Sequence, residues 1–431
     1  MMKKQHQPVT CINPLNIFSR RDFITKSVGA TATVPLLGAL ASLAEEKPSP
    51  AAPPVIITRK IKLGIIGLGR RGAWIAELFR EHGGYEIHAV ADYFPAVAET
   101  KGEALGVDKT RRFSGLSGYK KVLESGVEAV VIIDVPYFYP EQARAAVEAG
   151  LHIYIAKPIA VDVPGIRSVE ASAKEATKQK RVFLVDYQLP TDPINIEVYR
   201  LIADGALGPI QTIFSTGFSG GKGFNDPPLT NTIESRLQGL IWTNDNALGC
   251  GYHGNFDIHV VDAVLRATRR MPVAATGWGG RFRPEPHGDT QDTTCLFFTF
   301  EDGMVWNHQS VIGTSDAWFL GNGALAAEIQ GRDASARLSY SGKAFVRGGK
   351  QNYGGGKVAN LYKAGAQRNI ATFYQHVTEA QVDNVTVSCG VDSALTCILG
   401  REAAARNTKV TMAEVLKENR KLDVDLKGLT T

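Results

Sequence analysis

Three glycines, one carboxylate and one lysine are the residues of this chain whose types and spacing could do chemistry. Gly67-Leu68-Gly69-Arg70-Arg71-Gly72 has G-x-G-x-x-G spacing. Glycine in the first place permits a tight turn. In the second it lets backbone approach a bulky anion, and in the third it lets a helix pack closely on a strand. Asp92 lies 20 residues past Gly72, where a carboxylate accepts hydrogen bonds from a ribose 2′-hydroxyl. The anion this pattern suits is a dinucleotide pyrophosphate, met by the free N–H groups and the dipole of a helix N-terminus. Lys157 directly precedes Pro158, which favours an extended backbone at the lysine. A lysine held there beside a cofactor can donate to a substrate oxygen or, with its pKa lowered, share in proton transfer. Taken alone, it also fits a surface lysine at a strand terminus.

The elements around these residues alternate. An apolar run (Ile61, Leu63, Ile65, Ile66) precedes the glycines, and an amphipathic stretch (Ala73, Ile75, Ala76, Leu78, Phe79) follows them. That order is strand, turn, helix. Helices are expected over 95–106, 119–125 and 140–150, and strands over 129–134 and 152–155. The run Ala-Val-Val-Ile-Ile-Asp at 129–134 suits a central parallel strand covered on both faces. Alternating β and α units imply a doubly wound parallel sheet, whose ligands bind beyond the carboxyl ends of the strands. From residue 210 the texture changes to strand-like alternation at 210–216, 273–278, 293–300, 304–310, 326–330 and 336–340. Asp302-Gly303 is a hairpin-turn signal between two of these runs. Helices are expected at 367–379 and 393–407.

Composition narrows the class. Hydrophobic residues make up 44% and charged residues 21% of 431, which is globular and long enough for two or three domains. Residues 1–44 carry Lys3, Lys4, Arg20, Arg21 and Lys26 against Asp22, so they hold +4 of the formal +5. The remainder has no basic excess that calls for a nucleic-acid partner. Ser19-Arg20-Arg21-Asp22-Phe23-Ile24, with the apolar stretch 28–43 and Ser42-Leu43-Ala44 after it, resembles the twin-arginine export signal. The stretch is short and soft for a membrane span. Residues 45–58 are rich in proline and alanine and read as a stiff linker. The expectation is a periplasmic or extracytoplasmic protein with no stable membrane span after cleavage. Twin-arginine export moves folded proteins, so a dinucleotide would be bound beforehand. Cys250, Cys295, Cys389 and Cys397 show no C-x-x-C spacing. Cys389 and Cys397 are the nearest pair for a disulfide, and separate buried thiols fit as well.

The glycine fingerprint, Asp92 and Ala156-Lys157-Pro158, in that order, resemble the Gfo/Idh/MocA oxidoreductases, the family of glucose-fructose oxidoreductase and inositol dehydrogenase. The family's usual motif is Glu-Lys-Pro; Ala156 departs from it, as in an exported subgroup. The resemblance runs from residue 60 onward. It implies an α/β fold, an N-terminal Rossmann sheet plus a C-terminal α+β domain with a large open, mainly antiparallel sheet. The implied division is a signal at 1–44, a linker at 45–58, an NAD(P)-binding domain at 59–188 and a substrate-binding, oligomerising domain at 189–431. In the loop after the fourth strand, Val135-Pro136-Tyr137-Phe138-Tyr139-Pro140, aromatic rings stand where the family often has a histidine. Pro136 is expected beside the cofactor there. The family also places a histidine at the start of a helix in Gly251–Asp262, aimed at the substrate, with an acid often four residues earlier. His259 fits the histidine, and Asn255 stands at that earlier position. Asp257 would share a side with His259 if the lead-in were extended, but lie about 200° away if it were helical. Asn255 and Asp257 are therefore both candidate neighbours, and Asp262 could cap or pair the histidine. A metal cluster of Asp257, His259 and Asp262 is set aside. Trp306 and His308 share a sheet face, which is either a sugar site or core.

The resemblance implies hydride transfer between a secondary hydroxyl of a sugar, polyol or glycoside and NAD, with a homo-oligomer formed through the C-terminal sheet. His259 would take the hydroxyl proton, and Lys157 would stabilise charge on the same oxygen. Asp92 argues for NAD, because a carboxylate repels a 2′-phosphate; Arg70 and Arg71 leave NADP open. Two alternatives share these residues: a redox-assisted glycoside lyase or hydrolase, and a non-catalytic sugar or cofactor sensor.

Overall fold

The computed structural model describes residues 46–48, 56–219, 232–283, 288–313 and 325–431. The export-signal motif and most of the expected linker lie outside the described residues. Glu46–Pro48 forms a short strand, β1. The following strands are β2 (Ile61–Ile66), β3 (Tyr85–Asp92), β4 (Arg112–Ser114), β5 (Ala129–Ile132), β6 (His152–Ala156) and β7 (Phe183–Asp186). β2 to β7 form an all-parallel sheet in the order β4-β3-β2-β5-β6-β7. Every residue of β5, β6 and β7 is buried, as continuous apolar runs require when helices cover both faces. The sheet order reverses between β2 and β5, so a crevice opens beyond their carboxyl ends. At the outer edge, Asn384 Oδ1 and Thr386 Oγ1 accept from the N–H groups of Phe183 and Val185 at 2.7 and 2.9 Å. Side chains thus occupy donors that an edge strand would otherwise expose.

The second sheet adds β8 (Ile210–Ser219), β9 (Ala274–Gly280), β10 (Thr293–Thr299), β11 (Val305–Ile312), β12 (Leu325–Gly331), β13 (Ser335–Ser339), β14 (Lys343–Arg347), β15 (Tyr353–Ala359) and β16 (Lys409–Thr411). Its order is β1-β15-β14-β13-β12-β8-β11-β10-β9-β16. Asp302-Gly303 turns the chain between β10 and β11 as expected, with Gly303 at φ +86°. Neighbours are antiparallel except β8 with β11 and β1 with β15. Helices Pro193–Ala203, Ile258–Thr268 and Thr386–Arg406 pack on one face. Phe214, Phe297 and Trp278 stand about half exposed on strands of the same sheet.

Two helices from the C-terminal part of the chain return to the parallel sheet. Leu361–Glu379 packs on Arg70–His82, where Phe373 meets Tyr154 edge-on at 5.7 Å. Thr386–Arg406 lies against Val163–Lys178 and also against β9. The crevice is therefore walled by both parts of the chain. Among the described residues no helix is long and apolar enough to cross a membrane.

Candidate active site

A cleft of about 1140 Å³ opens beyond the strand ends, lined by Gly67, Gly69, Gly72, Asp92, Lys157 and His259 among others. The glycines differ in what they do. A Cβ on Gly67, which has φ +89°, would come 2.3 Å from the Ile133 carbonyl oxygen, and one on Gly72 would come 2.0 Å from the Gly67 carbonyl oxygen. Both are closer than any packed carbon tolerates, so these two positions let the turn close. A Cβ on Gly69 would meet nothing within 4 Å. Gly69 also precedes helix Arg70–His82 without a side-chain cap, which leaves first-turn N–H groups for an anion. Asp92 accepts from the N–H groups of Leu68 at 2.8 Å and Phe94 at 3.0 Å. It braces the turn and still faces the cleft. Burial pushes its pKa up, against the pull of those two donors. Turn, bare helix start and strand-end carboxylate together fit a dinucleotide.

The reactive end lies across the strand ends. Lys157 follows β6, and its Nζ donates to the carbonyl of Asn255. Burial, then the nearby Arg71 guanidinium, lowers its pKa to about 7. His259 is the second residue of helix Ile258–Thr268 and is buried. Burial, with Lys157 and Arg71 close by, holds its pKa well below the usual imidazole value, so it is neutral at neutral pH. Its Nδ1 lies 2.8 Å from the Tyr340 hydroxyl, which accepts from Leu189 N–H at 3.3 Å. Nε2 has no partner among the described residues. When Nδ1–H donates to Tyr340, Nε2 carries the lone pair of a base; when the hydroxyl donates, Nε2–H is the donor of an acid.

Arg71 is committed elsewhere. Its guanidinium pairs with Asp186 at the end of β7 and donates to the Tyr362 hydroxyl. It stacks 5.0 Å from the Tyr362 ring centre. Gln188 and Asn369 each donate to Asp186 at 2.8 Å. β7 lies four strand positions from β3, roughly 19 Å at ordinary strand spacing. Arg71 is thus tied to the Lys157–His259 end and not to the ribose end at Asp92.

Residues 61–187 match the family model described as an oxidoreductase family with an NAD-binding Rossmann fold, GFO_IDH_MocA. Those residues are similar to a Gfo/Idh/MocA NAD-binding domain. An inositol 2-dehydrogenase of Rhizobium meliloti (strain 1021) is 27% identical over 156 residues, 36% of this chain and 44% of that protein. A glycosyl hydrolase family 109 protein of Shewanella pealeana (strain ATCC 700345 / ANG-SQ1) is 28% identical over 205 residues, 44% of each chain. The chain thus spans about half the length of these curated relatives. The crystal structure of an aldose-aldose oxidoreductase from Caulobacter crescentus, complexed with glycerol, superposes with a TM-score of 0.65 at 21% identity. The superposition covers 82% of this chain and 100% of that one. The likeness extends the shared fold over both sheets.

Of the residues expected in the site, the cleft brings together Gly67, Gly69, Arg70, Arg71, Gly72, Asp92, Lys157, Asn255 and His259. Leu68 takes part through its N–H, which binds Asp92. Pro136 is buried in the turn Pro136–Phe138 and does not line the cleft; Val135, Phe138 and Tyr139 do. Asp257 needs correction as a neighbour of His259. Its segment, His253–Asp257, is a π-helical turn and not extended chain, so positions two apart diverge. Asp257 instead lies in the interior, bound to His253 Nδ1 at 2.9 Å and His308 Nε2 at 3.2 Å. His308 and Trp306 are fully buried core, joined through Ser215 at 2.8 and 2.7 Å. Asp262 pairs with Arg266 at 2.8 Å, not with His259. Cys250, Cys295, Cys389 and Cys397 are all free thiols. Sequence reasoning missed Asp186, Tyr340 and Tyr362. Asp186 had a signal, an acid ending an apolar run as Asp92 does; the two tyrosines had none, since long-range packing brings them in.

Proposed function

We propose that this chain is an exported, NAD-dependent oxidoreductase that moves hydride between the nicotinamide and a secondary hydroxyl of a sugar, polyol or glycoside. One observation carries the reading: the glycine cradle, Lys157 and His259, from three separate elements, line one cleft. The inositol dehydrogenase relative and the aldose oxidoreductase fold support a polyhydroxylated substrate. Bound NAD supplies the hydride acceptor. In oxidation His259 Nε2 takes the hydroxyl proton, and Lys157 in its ammonium form stabilises negative charge on that oxygen. In reduction the imidazole returns the proton, with Tyr340 able to bond either tautomer. Capture of Arg71 by Asp186 removes one of the two cations that kept NADP open, and Asp92 favours NAD. Export by the twin-arginine route accounts for Ser19–Ile24 and implies a cofactor loaded before transport. Exposed Phe214, Phe297 and Trp278 support association of copies through the open sheet.

The test begins with the exported protein, denatured so that released dinucleotide can be identified by mass. NAD(H) is expected, and NADP(H) would overturn the Asp92 argument. Turnover on a panel of sugars should fall about 10²–10⁴-fold in His259→Ala and Lys157→Ala; unchanged turnover sinks the assigned roles. The glycosyl hydrolase relative favours a second reading, oxidation at one ring carbon followed by elimination of the aglycone and re-reduction. Release of free aglycone with no net NADH distinguishes it.

A further inference from the structure

We propose that residues 422–431 form a strap over the adenosine end of the cleft and hold the dinucleotide against exchange. The inference rests on the dinucleotide reading above and extends it to how the cofactor is kept. This stretch has no helix or strand of its own, yet it is fastened at both ends. Leu422 N–H donates to the Asp162 carboxylate at 2.8 Å. Further on, the Thr430 carbonyl accepts from Leu116 N–H at 2.9 Å, and Thr430 N–H donates to the Tyr93 hydroxyl at 3.2 Å. That hydroxyl donates in turn to Glu234 at 3.0 Å. Between these ties Val424 and Leu429 pack on an apolar cluster built around Val135, Leu237 and Leu248, separate from the main core.

The position decides the role. Asp92 ends β3 and Ser114 ends β4, and the strap crosses to the residues just after them, Tyr93 and Leu116. A ribose bound at Asp92 puts the adenosine half of a dinucleotide on this side. Leu426 and Thr431 line the cleft there, together with Phe94, Leu116 and Leu237, so a planar base would have apolar contacts from both the sheet and the strap. Departure of the dinucleotide then requires the strap to lift, breaking its bonds to Leu116 and Tyr93 and exposing Val424 and Leu429. Such a contact acts on the dissociation rate more than on the association rate. An enzyme whose cofactor must survive transport gains from slow release.

The measurement is the dissociation rate of NADH from purified wild-type protein, by fluorescence after chase with excess NAD. It is compared with Leu426→Ala, Leu429→Glu and a chain ending at Asp425. Dissociation is expected to accelerate at least about tenfold in the shortened chain and less in Leu426→Ala, with association nearly unchanged. If the shortened chain is poorly folded, Leu426→Ala and Leu429→Glu decide the outcome. Wild-type and variant rates that agree overturn the strap while leaving the dinucleotide reading intact. A wild-type protein that takes up no NADH overturns both.

Discussion

Lys157 is buried with a pKa near 7, and that value has two measurable consequences. In the unfolded chain the amine titrates near its ordinary 10.5. Between pH 7 and 10.5 the unfolded state therefore binds more protons, and folding stability from this group rises with pH through that window. The slope reaches about 1.4 kcal/mol per pH unit at most. Denaturation at pH 7.5 and 9.5 should show a stability gain in wild type that Lys157→Met lacks. Activity moves the opposite way: the ammonium form is half lost near pH 7, so kcat/KM for oxidation declines above it, and Lys157→Arg shifts that decline upward. Tyr340→Phe tests the histidine's positioning. The imidazole loses its Nδ1 partner and Leu189 N–H loses its acceptor, an unpaired buried donor costing about 1–3 kcal/mol. The expected result is kcat down about tenfold with little change in KM, whereas a purely structural hydroxyl would lower the melting temperature and leave kcat alone. At this scale the family resemblance pointed to Lys157 and His259, since the local marks beside them, a following proline and the start of an apolar helix, do not single them out alone. The sequence could not separate Asp257 from Asn255, because that choice turned on whether five residues were extended or wound into a π turn.

The glycine turn makes a prediction at the scale of an element. Gly69 and Gly72 are equally glycine in the sequence, and only the packing tells their roles apart. Gly69 has φ −59°, which alanine adopts freely, and its absent Cβ points into open space. Gly69→Ala should therefore keep its stability within about 0.5 kcal/mol and weaken NADH binding by crowding the pyrophosphate. Gly72→Ala drives a Cβ onto a backbone oxygen. The strand and helix must move apart, costing at least about 1–3 kcal/mol, and binding is lost along with thermal stability. Thermal melts paired with NADH titration separate the two outcomes; equal melting temperatures for both variants would contradict the assignment. β5 was legible because burial on both faces leaves it uniformly apolar, and β2 and β3 because their buried carboxyl halves are nearly so. β15 was not, since its glycine-rich sequence, Tyr-Gly-Gly-Gly-Lys-Val-Ala, carries little alternation, and β14 offers a run of only five residues. The placement of β8 between β11 and β12 was also hidden, because residues about 90 to 120 positions apart make those pairings.

For the whole molecule, the decisive question is what covers the open sheet. Phe297 on β10, Asn307 on β11 and Phe214 on β8 stand in one register row, and both phenylalanines are 48% exposed. Trp278 on β9 is 47% exposed and pairs with Cys295 two positions along β10 from Phe297. Single exposed apolar residues need no explanation, but a row across neighbouring central strands does. A second copy turned about a two-fold axis would cover its own kind of surface, and each substitution there counts twice. Phe297→Glu would bring two carboxylates into one apolar contact. Sedimentation should then show a smaller species than wild type at equal concentration, and Phe297→Leu should leave the assembly intact. Gly69, Asp92, Lys157 and His259 line the cleft from one chain, so the dissociated Phe297→Glu protein should bind NADH with wild-type affinity. An unchanged sedimentation coefficient for Phe297→Glu would show that the row faces water and that copies, where they associate, meet elsewhere. A dissociated protein that also loses NADH would show instead that the second copy supports the cleft.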